Sequence, residues 1–398
     1  MNTVVSDTVG ISSSRLDRIR TVMQSYLDQG RLPGAVTMIA RRGQVVHAEC
    51  FGLRDIEARK PMQLDTLFPI FSMTKPILAV AMMILYEEGR YQLFDPLSKF
   101  IPEFKDVQVI LKITDAGDIE LTELEREITI HDLLSQTSGL VCEHWFTPPL
   151  AKLVEENGLY RPEITLQEFT HKLAKLPLIH QPGQAWRYGE SPEVLGYLVE
   201  LISGMSYDAF LKRRIFEPLG MVDTGFGVPD DQRGRLARLY GFSETGDFVE
   251  RVESPPRVIP SSIPRGGFGL ISTAPDYARF AQMLLNKGEL NGERILGRVT
   301  VEYMTRNHLP EELVPIQPFP GWFIHGYGYG FLFGVLVNVA QARSLGSEGE
   351  FYWGGLSTIF WIDPQEELIG LLMTRLEFPN HVPIYYDFRT LAYQAIVD

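Results

Sequence analysis

The sequence predicts an α/β fold of the α+β kind: one antiparallel sheet built from both termini, flanked by helices, with a mostly helical insertion. Three observations carry this expectation: a hairpin pattern near the start, a second hairpin pattern near the end, and helix-start signals between them.

The first periodic segment follows Ser13 and Ser14, with Leu16, Ile19, Val22, Met23, Tyr26 and Leu27 on one helical face, and predicts an amphipathic helix. After Pro33-Gly34, the apolar run 35–40, the charged tip Arg41-Arg42-Gly43 and the run 44–51 predict a hairpin. Near the other end the runs 357–362 and 368–374 flank the turn Asp363-Pro364-Gln365-Glu366 and predict another. Phe388, Leu391, Ala392, Ala395 and Ile396 then give a closing helix. In the middle, Thr129-Ile130-His131-Asp132 matches a capping box before Leu133-Leu134. Ser191-Pro192-Glu193 places a cap, a first-turn proline and a first-turn acid before an apolar run. The glycine- and proline-rich stretches 254–269 and 315–330 read as long loops. The expected organisation is one composite domain. Residues 1–75 and 265–398 form its sheet region, 76–264 its mostly helical region, and the active-site cleft lies at their junction.

A chain of 398 residues with 45% hydrophobic and 22% charged residues can bury a sizeable core, so a folded enzyme or binding protein is expected. The net charge of -13 argues against a polyanionic partner, because nucleic-acid binding requires a clustered basic surface. Arg41-Arg42 and Lys212-Arg213-Arg214 are too short to supply one. No uncharged apolar run reaches the length of a spanning helix, and residues 1–20 lack the pattern of a secretory signal, so a cytoplasmic protein without a membrane partner is expected. Two distant cysteines, Cys50 and Cys142, read as reduced core thiols. The eight histidines show no zinc-type spacing, so no metal is expected. His144, His180 and His325 read as core or surface residues. No Gly-x-Ser-x-Gly occurs, which argues against a nucleophile elbow.

Phe71-Ser72-Met73-Thr74-Lys75-Pro76 opens a strongly apolar helix that Gly89 stops. Pro76 supports a helix start here, because the first amides of a helix have no partner to lose. Ser72 and Lys75, three apart, share a face. A hydroxyl becomes a nucleophile when a base takes its proton, and a lysine serves as that base when burial or neighbouring cations lower its pKa. Amides at the helix start favour a developing oxyanion. Ser-x-x-Lys is a short pattern that also arises by chance; here it occurs once, at a helix start.

Several segments together are far more specific. Ser72-Met73-Thr74-Lys75, the run His131-Asp132-Leu133-Leu134-Ser135-Gln136-Thr137-Ser138-Gly139-Leu140, Pro182-Gly183-Gln184-Ala185-Trp186-Arg187-Tyr188 and Gly266-Gly267-Phe268-Gly269-Leu270-Ile271-Ser272-Thr273 span nearly the whole chain. In these the sequence resembles the serine beta-lactamase-related hydrolases, in the esterase branch akin to class C beta-lactamases, the family VIII carboxylesterases. The resemblance implies a beta-lactamase/transpeptidase-like fold. It implies Ser72 as nucleophile, Lys75 and Tyr188 as the proton-transfer pair, and the amides of Ser72 and Leu356 as an oxyanion hole. It also implies a small-molecule ester as substrate, with no cofactor. On spacing alone Tyr188 is one of 16 tyrosines and reads equally as core.

The departures from the family pattern bear on substrate. Gln136 stands where histidine is usual, and Glu190 where the lactamase branch has asparagine. The lactamase Lys-Thr-Gly strand is replaced by Trp353-Gly354-Gly355, as in the esterase branch, which removes a cation for a substrate carboxylate and leaves Arg265 or another cation to supply one. Trp353, Gly354, Gly355 and Glu190 are expected around the substrate pocket, with packing inside Phe351-Tyr352-Trp353 as the other reading of the tryptophan. The expected activity is hydrolysis of short-chain neutral esters. The alternatives are a beta-lactamase or D-Ala-D-Ala peptidase-type hydrolase, an acyltransferase, and a catalytically weak ligand-binding protein.

Overall fold

The computed structural model describes residues 6–114, 116–141, 146–161, 163–251, 263–377 and 382–398. Its main sheet has strands β1 (Gly34–Arg41), β2 (Gln44–Asp55), β3 (Lys60–Pro61), β4 (Tyr327–Tyr329), β5 (Gly334–Leu336), β6 (Phe351–Gly354), β7 (Thr358–Asp363) and β8 (Leu368–Thr374). They lie in the order β4-β5-β6-β7-β8-β1-β2-β3, each pair antiparallel. Late strand β8 runs beside early strand β1, from Ala35 opposite Thr374 to Arg41 opposite Leu368. Segments from both sides of the chain therefore close one sheet.

The first hairpin turns through Arg42 and Gly43, at φ 48° and 74°, the positive values that a type I′ connection needs. Arg41, read from sequence as part of an exposed charged tip, is instead buried. Strand alternation puts it on the face of Ala35 and Ile39. There its guanidinium donates to the Val9 and Gly10 carbonyls and to Asp398 and Glu366.

Helices around the sheet include α1 (Ser13–Asp28), α2 (Thr74–Glu87), α3 (Ile130–Leu134), α4 (Ser191–Ser203), α5 (Ala274–Leu285) and α6 (Ile384–Tyr393). On one sheet face Ala35, Ile39, Trp361, Leu368 and Leu372 pack with Ile19 and Met23 of α1 and Phe388 and Ala392 of α6. On the other, Val36, Met38, Ala40, Ile369, Leu371 and Met373 join a larger core around α2. All of β1 is consequently buried, which is why its sequence reads as a continuous apolar run. Helix α2 is apolar all round and buried from Thr74 to Leu85, as befits a central helix.

The capping box at α3 forms: the Thr129 hydroxyl accepts from the Asp132 amide and the Asp132 carboxylate from the Thr129 amide. Residues 76–264 hold α3, α4 and all of α2 but its first two residues, and also the hairpins Val109–Ile113 with Ile119–Thr122 and Tyr240–Phe242 with Phe248–Glu250. Two expectations need correction. The stretch 315–330 is not a loop, because Ile316–Phe319 and Trp322–Ile324 pair around Pro320-Gly321, and β4 follows. Gly321 at φ 80° supplies the left-handed turn that the same proline–glycine signal encodes. At α4 the cap position belongs to Glu190, while Ser191 lies inside the helix and bonds the Ser138 hydroxyl at 2.8 Å.

Cys142, His144 and most of the 254–269 stretch lie outside the described residues. Cys50 is a half-buried free thiol, His180 is half-buried and His325 is exposed. Among the described residues no single helix is long and apolar enough to cross a membrane.

Candidate active site

Residues Phe71–Met73 form a 3-10 turn that runs into α2. Phe71 enters it at φ 46°, in a region that side chains disfavour, so the turn needs external support. The Ile70 amide donates to the Leu270 carbonyl at 2.9 Å, and the buried Tyr277 hydroxyl of α5 donates to the Met73 carbonyl at 2.9 Å. Ser72 is thus braced on both sides at the start of the central helix.

One turn on, the Lys75 side chain lies on the same face. Its Nζ is 3.1 Å from Ser72 Oγ and 2.9 Å from the Gly267 carbonyl, with the residue only 5% exposed. The Tyr188 hydroxyl lies 2.5 Å from Ser72 Oγ, and the Lys75 ammonium stands 4.7 Å over the Tyr188 ring. The serine, lysine and tyrosine named from sequence therefore meet at one oxygen atom.

Tyr188 reaches this point because both its neighbours are held by one residue. Gln136, at φ 60°, accepts from the Arg187 amide on its backbone carbonyl (3.1 Å) and from the Gly189 amide on Oε1 (2.9 Å). The sequence marked Gln136 only as a departure from the family pattern; its role as a clamp follows from the fold. Around Tyr188 the rings of Trp353 (5.5 Å), Trp186 (6.3 Å) and Phe319 (6.3 Å) form an aromatic wall. Trp322 stacks on Phe319 at 5.4 Å with an interplanar angle of 6° and is 45% exposed, so the wall continues to the surface.

Trp353 is 5% exposed and touches both Tyr188 and Tyr329, so it packs in the core and backs the site at once. The two glycines after it differ. A Cβ on Gly355 would fall 2.5 Å from the Ile70 carbonyl oxygen, whereas one on Gly354 would have ordinary clearance at 3.5 Å. Gly355 is thus the position that lets the chain after β6 press against the backbone just before Ser72; the Leu356 side chain is 47% exposed. Glu190 is half-buried and accepts from the Tyr160 hydroxyl at 2.7 Å.

Sequence reading missed one group. Glu193, read as a first-turn acid, is 2% exposed and faces the loop before Leu270–Ser272. Its Oε1 accepts from the Gly267 amide (2.9 Å), and Oε2 from the Gly266 amide (3.1 Å) and Arg265 Nε (2.8 Å). Arg265 lies over the Phe169 and Phe268 rings at 4.6 and 5.2 Å. Burial opposes its charge, but Glu193 and Glu190 outweigh that and hold the guanidinium above its ordinary pKa. No local signal marks this contact, because an acid in a first turn ordinarily faces solvent. Among the described residues no group of three or more His, Cys, Asp and Glu side chains is arranged to hold a metal ion.

Comparison with known proteins adds four findings. A family model described as beta-lactamase matches residues 19–394. The chain is 36% identical over 364 residues to protein Rv1367c of Mycobacterium tuberculosis, covering 90% of this chain and 89% of that one. It is 30% identical over 387 residues to esterase EstB of Burkholderia gladioli, covering 92% of each. Among solved structures it is similar to EstCE1, described as a hydrolase with promiscuous acyltransferase activity, with a TM-score of 0.79, 26% identity and coverage of 96% and 99%.

Proposed function

This chain belongs to the beta-lactamase family of serine hydrolases, and we propose that within it the protein cleaves small neutral carboxylic esters through an acyl-enzyme on Ser72. The observation that carries the reading is the convergence of Tyr188 (2.5 Å) and Lys75 (3.1 Å) on Ser72 Oγ. In this mechanism Ser72 Oγ attacks the ester carbonyl and its proton passes to the Lys75–Tyr188 pair, which returns it to the departing alkoxide. The Ser72 and Leu356 amides stabilise the oxyanion. Water, activated by the same pair, then releases the acid and restores Ser72. The likeness to EstCE1, a hydrolase with promiscuous acyltransferase activity, supports transfer of the acyl group to an acceptor other than water as a second outcome.

The choice of neutral esters is supported by the surroundings. The wall from Trp353 through Tyr188 and Phe319 to Trp322 is apolar, and burying acyl or alkyl methylenes against it gains roughly 0.8 kcal/mol each. Arg265, the cation left open from sequence as partner for a substrate carboxylate, is engaged with Glu193. A desolvated carboxylate without a partner is costly. Steady-state kinetics test the reading: kcat/KM for neutral short-chain p-nitrophenyl esters is expected to exceed that for penicillins and cephalosporins by orders of magnitude. Comparable efficiency on the two sets would overturn it.

A further inference from the structure

We propose that Glu193 is a positioning residue for this reaction, fixing through the Gly266-Gly267 turn the carbonyl that holds Lys75 against Ser72. The inference rests on the reading of Ser72 and Lys75 given above and assigns a role to a side chain that touches neither the substrate nor the reacting oxygen.

A carboxylate that is 2% exposed is stable only when its oxygens are paired. Glu193 has three donors, and two of them are the consecutive amides of Gly266 and Gly267. Tying both amides to one rigid group leaves the turn little freedom. The Gly267 carbonyl is then presented to Lys75 Nζ at 2.9 Å. Lysine is a flexible four-carbon stem ending in a point charge, so without such an acceptor its ammonium has no fixed direction. With it, one N–H is committed to Gly267 and the nitrogen stays 3.1 Å from Ser72 Oγ.

The glycines are part of the device. A Cβ on Gly266 would fall 1.9 Å from the Pro192 carbonyl oxygen, so only glycine lets the turn reach the start of α4. A Cβ on Gly267 would lie 3.1 Å from Lys75 Nζ and 3.2 Å from Glu193 Oε1. The acid and the lysine thus face each other across the space that this glycine leaves open. Arg265 supplies the ion pair for Glu193 at 2.8 Å, so Lys75 is oriented by a neutral carbonyl and is not locked to a carboxylate. Arg265 thus supplies the charge balance, and the Gly266-Gly267 turn the orientation.

The test is Glu193→Gln, whose amide group turns a donor toward one of the two backbone N–H groups, measured with p-nitrophenyl acetate and with fluorophosphonate labelling of Ser72. A misplacement of roughly 1 Å costs about a hundredfold in rate, so kcat and the labelling rate per folded molecule are expected to fall by about that factor, with KM changed by less than about threefold. Because Arg265 loses its ion-pair partner Glu193 in this variant, the charge-balanced E193Q/R265M is measured beside it and decides the matter if the single variant does not fold; the same loss of kcat is expected. A merely structural role would lower the melting temperature or the folded fraction, and a kcat per folded molecule within about threefold of wild type would overturn the proposal. Failure of the Ser72 reading looks different: the wild-type protein would be neither labelled nor active.

Discussion

Among the described residues two arginine–glutamate pairs are largely buried, and they differ in where their remaining hydrogen bonds go. Arg389 of α6 pairs with Glu350, beside β6, at 1% and 0% side-chain exposure. Its other donors meet Ser344 Oγ and the Leu345 carbonyl, while Glu350 also has the Tyr393 hydroxyl at 2.5 Å. Those bonds end on α6 and on the connection between β5 and β6. Arg265–Glu193 is less deeply buried, at 13% and 2% side-chain exposure, and its carboxylate spends two bonds on the backbone amides of a turn whose Gly267 carbonyl reaches Lys75. The first pair fastens a helix to a sheet; the second aims a side chain. The same chemistry serves stability in one place and geometry in the other, and only the onward contacts tell them apart.

Variants can break this comparison. Glu350→Gln leaves Arg389 buried without its counter-charge and is expected to cost about 3–5 kcal/mol of stability. Urea denaturation reads that loss, and kcat per folded molecule should stay at the wild-type value. A loss of kcat per folded molecule like that expected of Glu193→Gln would erase the distinction.

A smaller effect sharpens it. His47 of β2 lies on the same side as α6, 6.4 Å from the Phe388 ring and with Nε2 2.7 Å from the Thr37 hydroxyl. Burial pushes its imidazole down to about 4, against the pull of Glu49. Because the unfolded chain binds this proton more readily than the folded one, stability falls as pH drops from the unfolded value near 6.5 towards 4. The loss reaches about 3 kcal/mol and is complete below the folded value. Melting temperatures across that window should fall in the wild type and flatten in His47→Gln, while the variant's pH–rate profile stays that of the wild type. An unchanged melting profile would remove His47 from the account.

Local signals were legible in sequence where local geometry sufficed. Arg42-Gly43 encodes its turn by itself, Thr129 and Asp132 cap a helix within four residues, and Ser72 and Lys75 meet because three residues make nearly one helical turn. Tyr188 was legible only through the family resemblance, since it comes to Ser72 from 116 residues away. The Glu193 contact, 74 residues from Gly267, left no trace in periodicity or spacing. The hairpin that carries Phe319 to Tyr188 was hidden by its own proline and glycine, which mark a loop as readily as a two-residue turn.

Whether Ser72 carries the acyl group is read by mass spectrometry. After treatment with a fluorophosphonate ester, peptide mapping should find one adduct per chain, on Ser72. Ser72→Ala should remain folded, take up no label and lose roughly a thousandfold or more in kcat, a barrier of about 4 kcal/mol. An adduct on another residue, or near-native ester turnover in Ser72→Ala, would contradict the account.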